Sequence, residues 1–344
     1  MRRFRVIALA AIAMMSAAMV LAACGGSPQT AAPAVSGPAP PATWAKFRHL
    51  PGVVDLAGPR SDGSFLVAAD GRLFTLGRDG ALRPFARGPG GYQTATGTEP
   101  YLVLVTGVPV RGDRCSFVAG TAYAIQPGAR PEVITISPAG KARRFASLPP
   151  GHALSGIAFD ATGRFGHRLL VTAESGGRTT VFGLGCDGRV TTVAAGGPPV
   201  EGGIVVAPAS FGRFGGYLIA PNETSGRVYA VSPGGRFATL ARSGLPAGGD
   251  IGVESAGFAP PGATAAYLAD RFSPGNKHPG DDAILRLSAA ELARAGIRAG
   301  DLVVATEGGA RTIDVRCAAT CAVRYVAAGP AIAHGEGHIG FAVP

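Results

Sequence analysis

The chain has 344 residues and a formal net charge of +10, and its 53 glycines and 28 prolines make up about a quarter of it. Charged residues account for 16% and hydrophobic residues for 47%, an apolar content too high for a disordered chain. Because glycine and proline recur throughout, the composition excludes long helices and predicts a turn-rich, all-β fold. The basic residues are scattered and lack interleaved aromatic side chains, so we expect no nucleic-acid partner.

The N-terminal segment has the form of a secretory signal. Arg2, Arg3 and Arg5 precede an uncharged apolar run over 6–23. The run ends in Leu-Ala-Ala-Cys24, which resembles the lipobox of bacterial lipoproteins. The resemblance implies that residues 1–23 are a signal peptide and that Cys24 carries fatty acyl chains of the palmitate kind. The protein would then be exported and held at a cell membrane by lipid. An uncleaved anchor helix is the alternative, and the sequence does not say which membrane carries the anchor.

Residues 24–43 are rich in proline and alanine and contain no charge and no aromatic residue. Such a segment cannot bury a core, so we expect a lipidated cysteine followed by an extended tether. The folded domain is predicted to cover 44–344. Four further cysteines remain in it, and an oxidising compartment favours disulfides. We expect Cys317 to pair with Cys321 across a short loop, which leaves Cys115 and Cys186 as a long-range pair.

Repeated segments identify the fold. Gly-Arg-Phe-Gly at 163–166 recurs at 212–215, and a turn at 184–189 recurs at 231–236 between two alternating runs. A unit of about 50 residues with about four strands is typical of a β-propeller blade. We predict six blades, with seven or five as alternatives. Opening strands are expected near Val53, Glu99, Leu154, Glu201, Val253 and Glu336, and Phe47–Leu50 is expected to complete the last blade.

One short helix is predicted at 288–295, inside an insertion between two opening strands. Ser288 and Glu291 form a capping box, and Gly296 supplies the stop.

The blade pattern, seen in Gly-Ile-Ala-Phe-Asp at 156–160, resembles the six-bladed propellers of the NHL and SMP-30/gluconolactonase kind. The resemblance implies one closed ring of blades. For the lactonase branch it also implies a divalent metal held at one mouth of the channel by Glu, Asn and Asp side chains. Glu201, Asn222 and Asp270 are residues of those types.

A ring of carboxylates is the first candidate site. Glu201 and Glu336 open their strands at equivalent positions, and Glu99 and Glu254 lie near the same register. In a propeller these strands surround the axis, so their first residues would converge and favour a hard cation such as Ca²⁺. A hydrated channel with no specific ligand is the alternative.

The second candidate is His334-Gly-Glu336-Gly-His338. On an extended strand the three polar side chains would share one face and could bind Zn²⁺ or another transition metal; an exposed or structural histidine pair is the alternative. A polar loop with Asp270, His278, Asp281 and Asp282 is the candidate substrate loop, and its alternative is a set of solvated charges. Glu223 is interpreted as the cross-strand partner of Arg227.

The sequence therefore predicts a monomeric, membrane-anchored, extracytoplasmic propeller that acts as a binding or scaffolding module. Its partner would be a small molecule, a glycan or a protein at the channel mouth. A metal-dependent lactonase, another hydrolase or a sugar-type oxidoreductase is the alternative, and a purely structural role is a third. No catalytic residue is assigned.

Overall fold

The structure, a computed structural model, describes residues 41–86 and 99–344. The predicted signal peptide, Cys24 and most of the tether lie outside the described residues. The first strand begins at Ala42, and Trp44 is buried. Within the described residues, the first strand thus begins two residues before the predicted start of the folded domain.

The described residues are nearly all β. In chain order the first strands are β1 (Ala42–Thr43), β2 (Ala45–His49), β3 (Val53–Ala57), β4 (Phe65–Ala69), β5 (Arg72–Leu76), β6 (Leu82–Ala86), β7 (Leu102–Leu104), β8 (Ala122–Gln126), β9 (Glu132–Ile136), β10 (Ala142–Ser147), β11 (Ala153–Phe159), β12 (Leu169–Ser175), β13 (Arg178–Leu184) and β14 (Val190–Gly197). Strands β3–β6, β7–β10 and β11–β14 each form an antiparallel four-stranded sheet.

The second half of the chain contains the remaining elements. They are β15 (Val205–Val206), a 3-10 turn (Gly212–Phe214), β16 (Leu218–Asn222), β17 (Arg227–Val231), β18 (Phe237–Arg242), β19 (Val253–Phe258), β20 (Ala265–Asp270), β21 (Ala283–Ser288), helix α1 (Ala289–Ala295), β22 (Leu302–Thr306), β23 (Thr312–Cys317), β24 (Cys321–Ala328) and β25 (Gly335–Ala342). Strands β15–β18 form a fourth four-stranded sheet.

The last two strand groups are interleaved. Strands β19, β22, β23 and β24 form one group, extended by β1, while β25, β20, β21 and β2 form the other. A single parallel pair, Ala256 with His338, joins the two groups into a nine-stranded sheet. The insertion between β19 and β22 therefore supplies two strands to the neighbouring group. Strand β2 pairs with β21, so the N-terminal segment completes the last group as predicted.

These groups of small antiparallel sheets form a propeller, which confirms the predicted all-β propeller class. The core lies between the faces of neighbouring sheets. Leu66 and Leu73 of the first sheet pack with Leu102 and Ile134 of the second. The inner strands β3, β7, β11, β15, β19 and β25 begin close to the predicted opening positions.

The inner strands approach one another very closely at the axis. Gly202 N–H donates to the Ser155 carbonyl at 2.9 Å, and Gly203 N–H donates to the Glu254 carbonyl at 3.1 Å. A Cβ on Gly203 would lie 2.3 Å from the Gly337 carbonyl oxygen. Only glycine permits this approach, because any side chain there would collide with backbone.

The helix and both disulfides agree with the sequence predictions. The Ser288 side chain accepts from Glu291 N–H at the start of α1, and Gly296 ends the helix in the left-handed conformation. Cys115 pairs with Cys186 and Cys317 pairs with Cys321. Within the described residues, no helix has the length and apolar character needed to cross a membrane.

Candidate functional site

Acidic side chains gather at one end of the strands. In an antiparallel pair the start of an inner strand lies beside the end of the second strand, as Val253 lies beside Thr306 and Gly335 beside Asp270. Residues at strand starts and strand ends therefore meet. This acidic cluster consists of Glu99, Glu201, Glu223, Glu254, Glu307 and Glu336, with Tyr101, Arg271 and His334 among them.

Tyr101 lies at the centre of one half of the acidic cluster, the half that contains Glu99 and Glu336. Its fully buried hydroxyl lies 2.7 Å from Glu254 Oε1, 2.5 Å from Glu336 Oε1 and 3.2 Å from Glu99 Oε2. Arg271 Nη1 forms a close ion pair with Glu99 and lies 3.4 Å from Glu336 Oε2. This half thus contains its own cation, which neutralises part of its negative charge.

His334 lies between the two halves. Its Nδ1 lies 3.1 Å from the carbonyl oxygen of His278, so Nδ1 carries a proton and donates it. Its Nε2 lies 3.2 Å from Glu307 Oε1 and 3.9 Å from Glu336 Oε2. Burial disfavours the charged ring, but the hydrogen bond to Glu307 and the charge of Glu336 raise the pKa of His334. A protonated His334 would therefore be a second internal cation.

The other half contains Glu223, Glu254 and Glu307. One oxygen from each lies within 4.8 Å of the other two. Glu223 Oε2 accepts a hydrogen bond from Asp250 N–H at 2.9 Å. Glu307 is buried and is a hydrogen-bond partner of Glu223.

Crowding of carboxylates keeps several of them protonated. Burial, and then the charges of Glu99 and Glu336, raise the pKa of Glu201 to about 9. Burial and a hydrogen bond to Glu307 raise the pKa of Glu223 to about 8. Each of these two glutamates therefore tends to hold a proton at neutral pH and donate it to a neighbouring carboxylate.

Glu254 and Glu336 form a pair whose pKa values are shifted in opposite directions. Complete burial and the nearby charge of Glu336 hold the pKa of Glu254 well above its usual range. Burial acts in the same direction on Glu336, but hydrogen bonds from Glu254 and Tyr101 and the charges of Arg271 and His334 lower its pKa. The pair is thus a neutral acid beside an ionised carboxylate.

His338 does not join the acidic cluster, contrary to the expected single face for His334, Glu336 and His338. Gly337 has a φ of +67°, and the register of β25 on β20 shifts there, so the side-chain alternation is broken. The Nδ1 of His338 faces Asp55 Oδ2 at 3.0 Å, and its Nε2 faces the carbonyl oxygens of Ile157 and Ile204 at 3.0 and 3.1 Å. Both nitrogens are engaged, so neither is free for a metal.

The residues of the candidate substrate loop make hydrogen bonds and an ion pair within the fold. Asp270 accepts a hydrogen bond from His334 N–H at 2.8 Å, and burial raises its pKa to about 6. Asp282 accepts from Gly52 N–H, and Asp281 forms an ion pair with Lys46. The ring of His278 lies against the Ala331 carbonyl.

The structure therefore brings together Glu99, Glu201, Glu254, Glu336 and His334 from the predicted sites. Sequence reasoning missed Tyr101, Arg271, Glu223 and Glu307. Glu307 and Arg271 directly follow β22 and β20, the strands that pair with inner strands β19 and β25. That position is the sequence signal that could have identified them. Glu223 was interpreted as a partner of Arg227, but the structure turns it towards Asp250 and Glu307.

Comparisons with known proteins give structural similarity without a match in sequence. No known protein family matches the chain, and no curated protein matches it in sequence. The chain is a β-propeller. Virginiamycin B lyase from Staphylococcus aureus is similar in structure, with 13% identity, a TM-score of 0.47 and coverage of 85% of this chain and 77% of the lyase.

Two further solved structures are similar at the same level. A protein assigned as TolB from Agrobacterium tumefaciens is 11% identical over 85% of this chain and 84% of its own, with a TM-score of 0.44. A protein assigned as 6-phosphogluconolactonase from Bacteroides uniformis is 16% identical over 80% of this chain and 66% of its own, with a TM-score of 0.40. At these identities the likeness concerns the fold alone.

Proposed function

We propose that this chain is an exported, lipid-anchored β-propeller that binds a ligand at the acidic cluster. One observation carries the proposal: six glutamates that are distant in sequence converge at one end of the propeller. Sites that bury several like charges are costly to maintain, so they are characteristic of functional positions.

The charge balance indicates what the ligand carries. The acidic cluster has six carboxyl groups against Arg271 and a protonated His334, in a chain whose formal net charge is +10. Buried carboxylates require protons or cations to neutralise them. A ligand with a positively charged docking group would replace the protons, and the partly exposed Glu99 and Glu201 are the side chains that it would meet first.

The proposed location at a membrane rests on the Leu-Ala-Ala-Cys24 sequence that resembles a lipobox. We expect the full-length protein, expressed in a bacterial host, to enter the detergent phase on temperature-induced phase separation of a non-ionic detergent. The Cys24→Ser variant should show no acyl chains on its N-terminal fragment by mass spectrometry, because it lacks the thiol that is acylated. Cys115→Ser is a matched control, since it replaces a cysteine within the fold, opening the Cys115–Cys186 disulfide, and leaves the anchor. A wild-type N-terminal fragment without acyl chains would contradict the lipid anchor.

A metal-dependent hydrolase or lactonase is the second candidate, and the pair of Glu254 and Glu336 favours it. A neutral carboxyl beside an ionised one is the arrangement used for general acid and general base catalysis. In such an enzyme Glu254 would donate a proton and Glu336 would accept one. The binding protein and the enzyme would both use the acidic cluster. They differ in whether the bound molecule is chemically converted.

Matched ligands separate the candidates and test the binding site. We expect oligosaccharides of glucosamine, which carry amines, to bind at least tenfold more tightly than their N-acetylated forms in calorimetry at pH 6. The double variant Glu99→Gln/Glu201→Gln should lose most of this difference, whereas Glu132→Gln on β9, where Glu132 pairs with Arg144, should keep it. Equal binding of both oligosaccharides would contradict a cation-selective site. Hydrolysis of a lactone panel that stops with chelator would favour the enzyme.

A further inference from the structure

The end of the propeller opposite the acidic cluster is rich in basic side chains. Because inner strands begin at the acidic cluster, the connections from first to second strands and from third to fourth strands lie at the other end. The segment after α1 lies there too, since Leu302 pairs with Phe258 at the far end of β19. The exposed basic side chains of these segments, which we call the basic face, are Arg78, Arg111, Arg114, Lys141, Arg164, Arg189, Arg213, Arg236 and Arg298.

Contacts between the connections join the basic face into one surface. Arg111 N–H donates to the Gly166 carbonyl at 2.9 Å, which links the second sheet to the third. Arg213 N–H donates to the Ala318 carbonyl at 3.2 Å, which links the fourth sheet to the hairpin of β23 and β24. A disulfide adds a covalent link between the β7–β8 and β13–β14 connections. Basic residues that are scattered in the sequence are therefore presented together.

Few carboxylates offset the charge of the basic face. Over residues 41–86 and 99–344, Arg189 is the only member of the basic face that forms an ion pair. The exposed acidic residues of the same connections are Asp62, Asp79 and Asp187, and each accepts a backbone N–H of its own turn. At the other end, exposed cations share their surroundings with the glutamates of the acidic cluster. A positive potential is therefore concentrated at the basic face.

An exposed apolar side chain projects from the same surface. Val118 is 65% exposed, more than any other large hydrophobic residue that the structure describes. It lies in the connection between β7 and β8, four residues after Arg114, and the disulfide at Cys115 holds this connection in place. An apolar tip beside cations suits a membrane interface, where the apolar group reaches the acyl chains and the cations meet the headgroups.

A groove on the basic face can receive a single headgroup. It lies between Arg213 and Arg236, has a volume of about 460 Å³, and its walls include Phe214, Tyr217 and Phe237. The guanidinium of Arg213 lies 4.7 Å from the centre of the Phe214 ring. Guanidinium groups bind phosphate oxygens through paired N–H donors, and the aromatic walls supply apolar contact. The groove therefore fits a phosphate group that is attached to an apolar body.

We propose that the basic face docks on an anionic phospholipid membrane, with Val118 entering the interface and the acidic cluster turned away from the lipid. The inference rests on the lipid anchor of the proposed function, which would hold the chain near the membrane. The predicted tether from Cys24 to Ala42 is 18 residues long. It can span up to about 60 Å, roughly the width of a domain of this size, so the anchor alone leaves the orientation open. Each basic side chain near an anionic surface strengthens binding about fivefold, and this contribution selects the basic face.

Fluorescence quenching by phospholipids brominated on their acyl chains tests the docked orientation. The full-length protein with Val118→Trp is placed in vesicles of phosphatidylcholine, with and without phosphatidylglycerol. The native Trp44 is buried, and its signal is subtracted with the wild type. We expect quenching at position 118 in the anionic vesicles alone, and its loss in about 1 M salt, where the Debye length is about 3 Å. Phe272→Trp is the matched control: Phe272 is 52% exposed beside Arg271 of the acidic cluster, and this position should not be quenched.

Charge variants separate the basic face from the net charge of the chain. In the Val118→Trp protein, Arg111→Ser/Arg114→Ser should lower the ratio of docked to undocked chains at least about fivefold. Arg130→Ser/Arg242→Ser removes two exposed arginines at the acidic end, so it changes the net charge equally and should lower the ratio less than about twofold. Equal losses in the two double variants, or equal quenching at positions 118 and 272, overturn the basic face.

The remaining outcomes distinguish the membrane from another partner, and this inference from the proposed function. Absence of quenching at position 118, together with salt-sensitive binding of soluble polyphosphate, overturns membrane docking and assigns the basic face to an anionic polymer. If position 118 is quenched and the N-terminal fragment carries no acyl chains, only the lipid anchor falls. If acyl chains are present and amine oligosaccharides bind, but position 118 is not quenched, only membrane docking falls.

Discussion

Asp55→Asn is expected to lower the free energy of unfolding by about 3–5 kcal/mol, because it leaves a buried charged partner without its counter-charge. Asp55 is fully buried, and its Oδ1 accepts from the backbone N–H of His338 at 2.6 Å. Its Oδ2 accepts from Leu102 N–H at 2.7 Å and faces His338 Nδ1. Urea unfolding at pH 6 measures the loss.

The expected loss of stability is large because the pair of Asp55 and His338 connects the inner strands. The two nitrogens of His338 face only acceptors, so the ring must carry both protons. Burial disfavours that charge, but Asp55 raises the pKa of His338. The ring contacts Asp55 and the carbonyl oxygens of Ile157 and Ile204. Asp55 accepts from Leu102 N–H, and the backbone of His338 pairs with Ala256, so the pair is connected to every inner strand or to the residue directly before it.

Two controls make the result interpretable. Asp79→Asn changes an exposed turn residue, whose carboxylate accepts from Ala81 N–H, and should cost less than about 0.5 kcal/mol. His338→Gln leaves Asp55 with two backbone donors, so its loss should be smaller than that of Asp55→Asn. A loss below about 1 kcal/mol for Asp55→Asn would show that the inner strands do not depend on this pair.

Glu201→Gln is expected to flatten the pH dependence of stability. The pKa of Glu201 is about 9 in the fold against 4.5 for an ordinary glutamate. Between these values the folded chain holds a proton that the unfolded chain has released, so stability falls as pH rises through this range. One such group contributes a slope of about 1.4 kcal/mol per pH unit where the two states differ by a full proton.

The measurement is the free energy of unfolding in urea with chelator, from pH 5 to pH 9. Glu201→Gln mimics the protonated side chain, so its stability should decline less steeply and exceed that of the wild type at pH 8. Glu132→Gln, which removes a surface partner of Arg144, should leave the slope unchanged. A wild-type curve that rises with pH would show that the acidic cluster is not held protonated in the fold.

Much of the fold could be predicted because propeller blades repeat in sequence. The hairpin turns at 184–189 and 231–236 gave the period, and the apolar opening runs gave the inner strands. The capping box at Ser288 gave the helix, since capping is a local interaction. The interleaving of the last two strand groups could not be predicted, because the sequence of β20 and β21 does not record which neighbour they pair with.

The candidate site could be predicted only in part. Glu99, Glu201, Glu254 and Glu336 open inner strands, so repeat register alone brings them together. Glu223 and Glu307 directly follow second strands, and their place in the acidic cluster depends on the loop at 248–252 and on His334. His338 was misplaced because the left-handed conformation of Gly337 breaks the alternation that a sequence pattern assumes.

The interleaved strand groups also bear on how the chain reaches its native state. Strand β1 pairs with β24 through Ala42 and Ala327, and β2 pairs with β21, so β1 and β2 can pair only after these strands, much later in the sequence, have been synthesised. Each of the four independent sheets can form without the rest of the chain, since each uses contiguous sequence. Docking of the first strands needs contacts of very long sequence separation, which form slowly. Until then the unpaired edges of β21 and β24 are exposed, and these are the edges that a chaperone or a second nascent chain would meet.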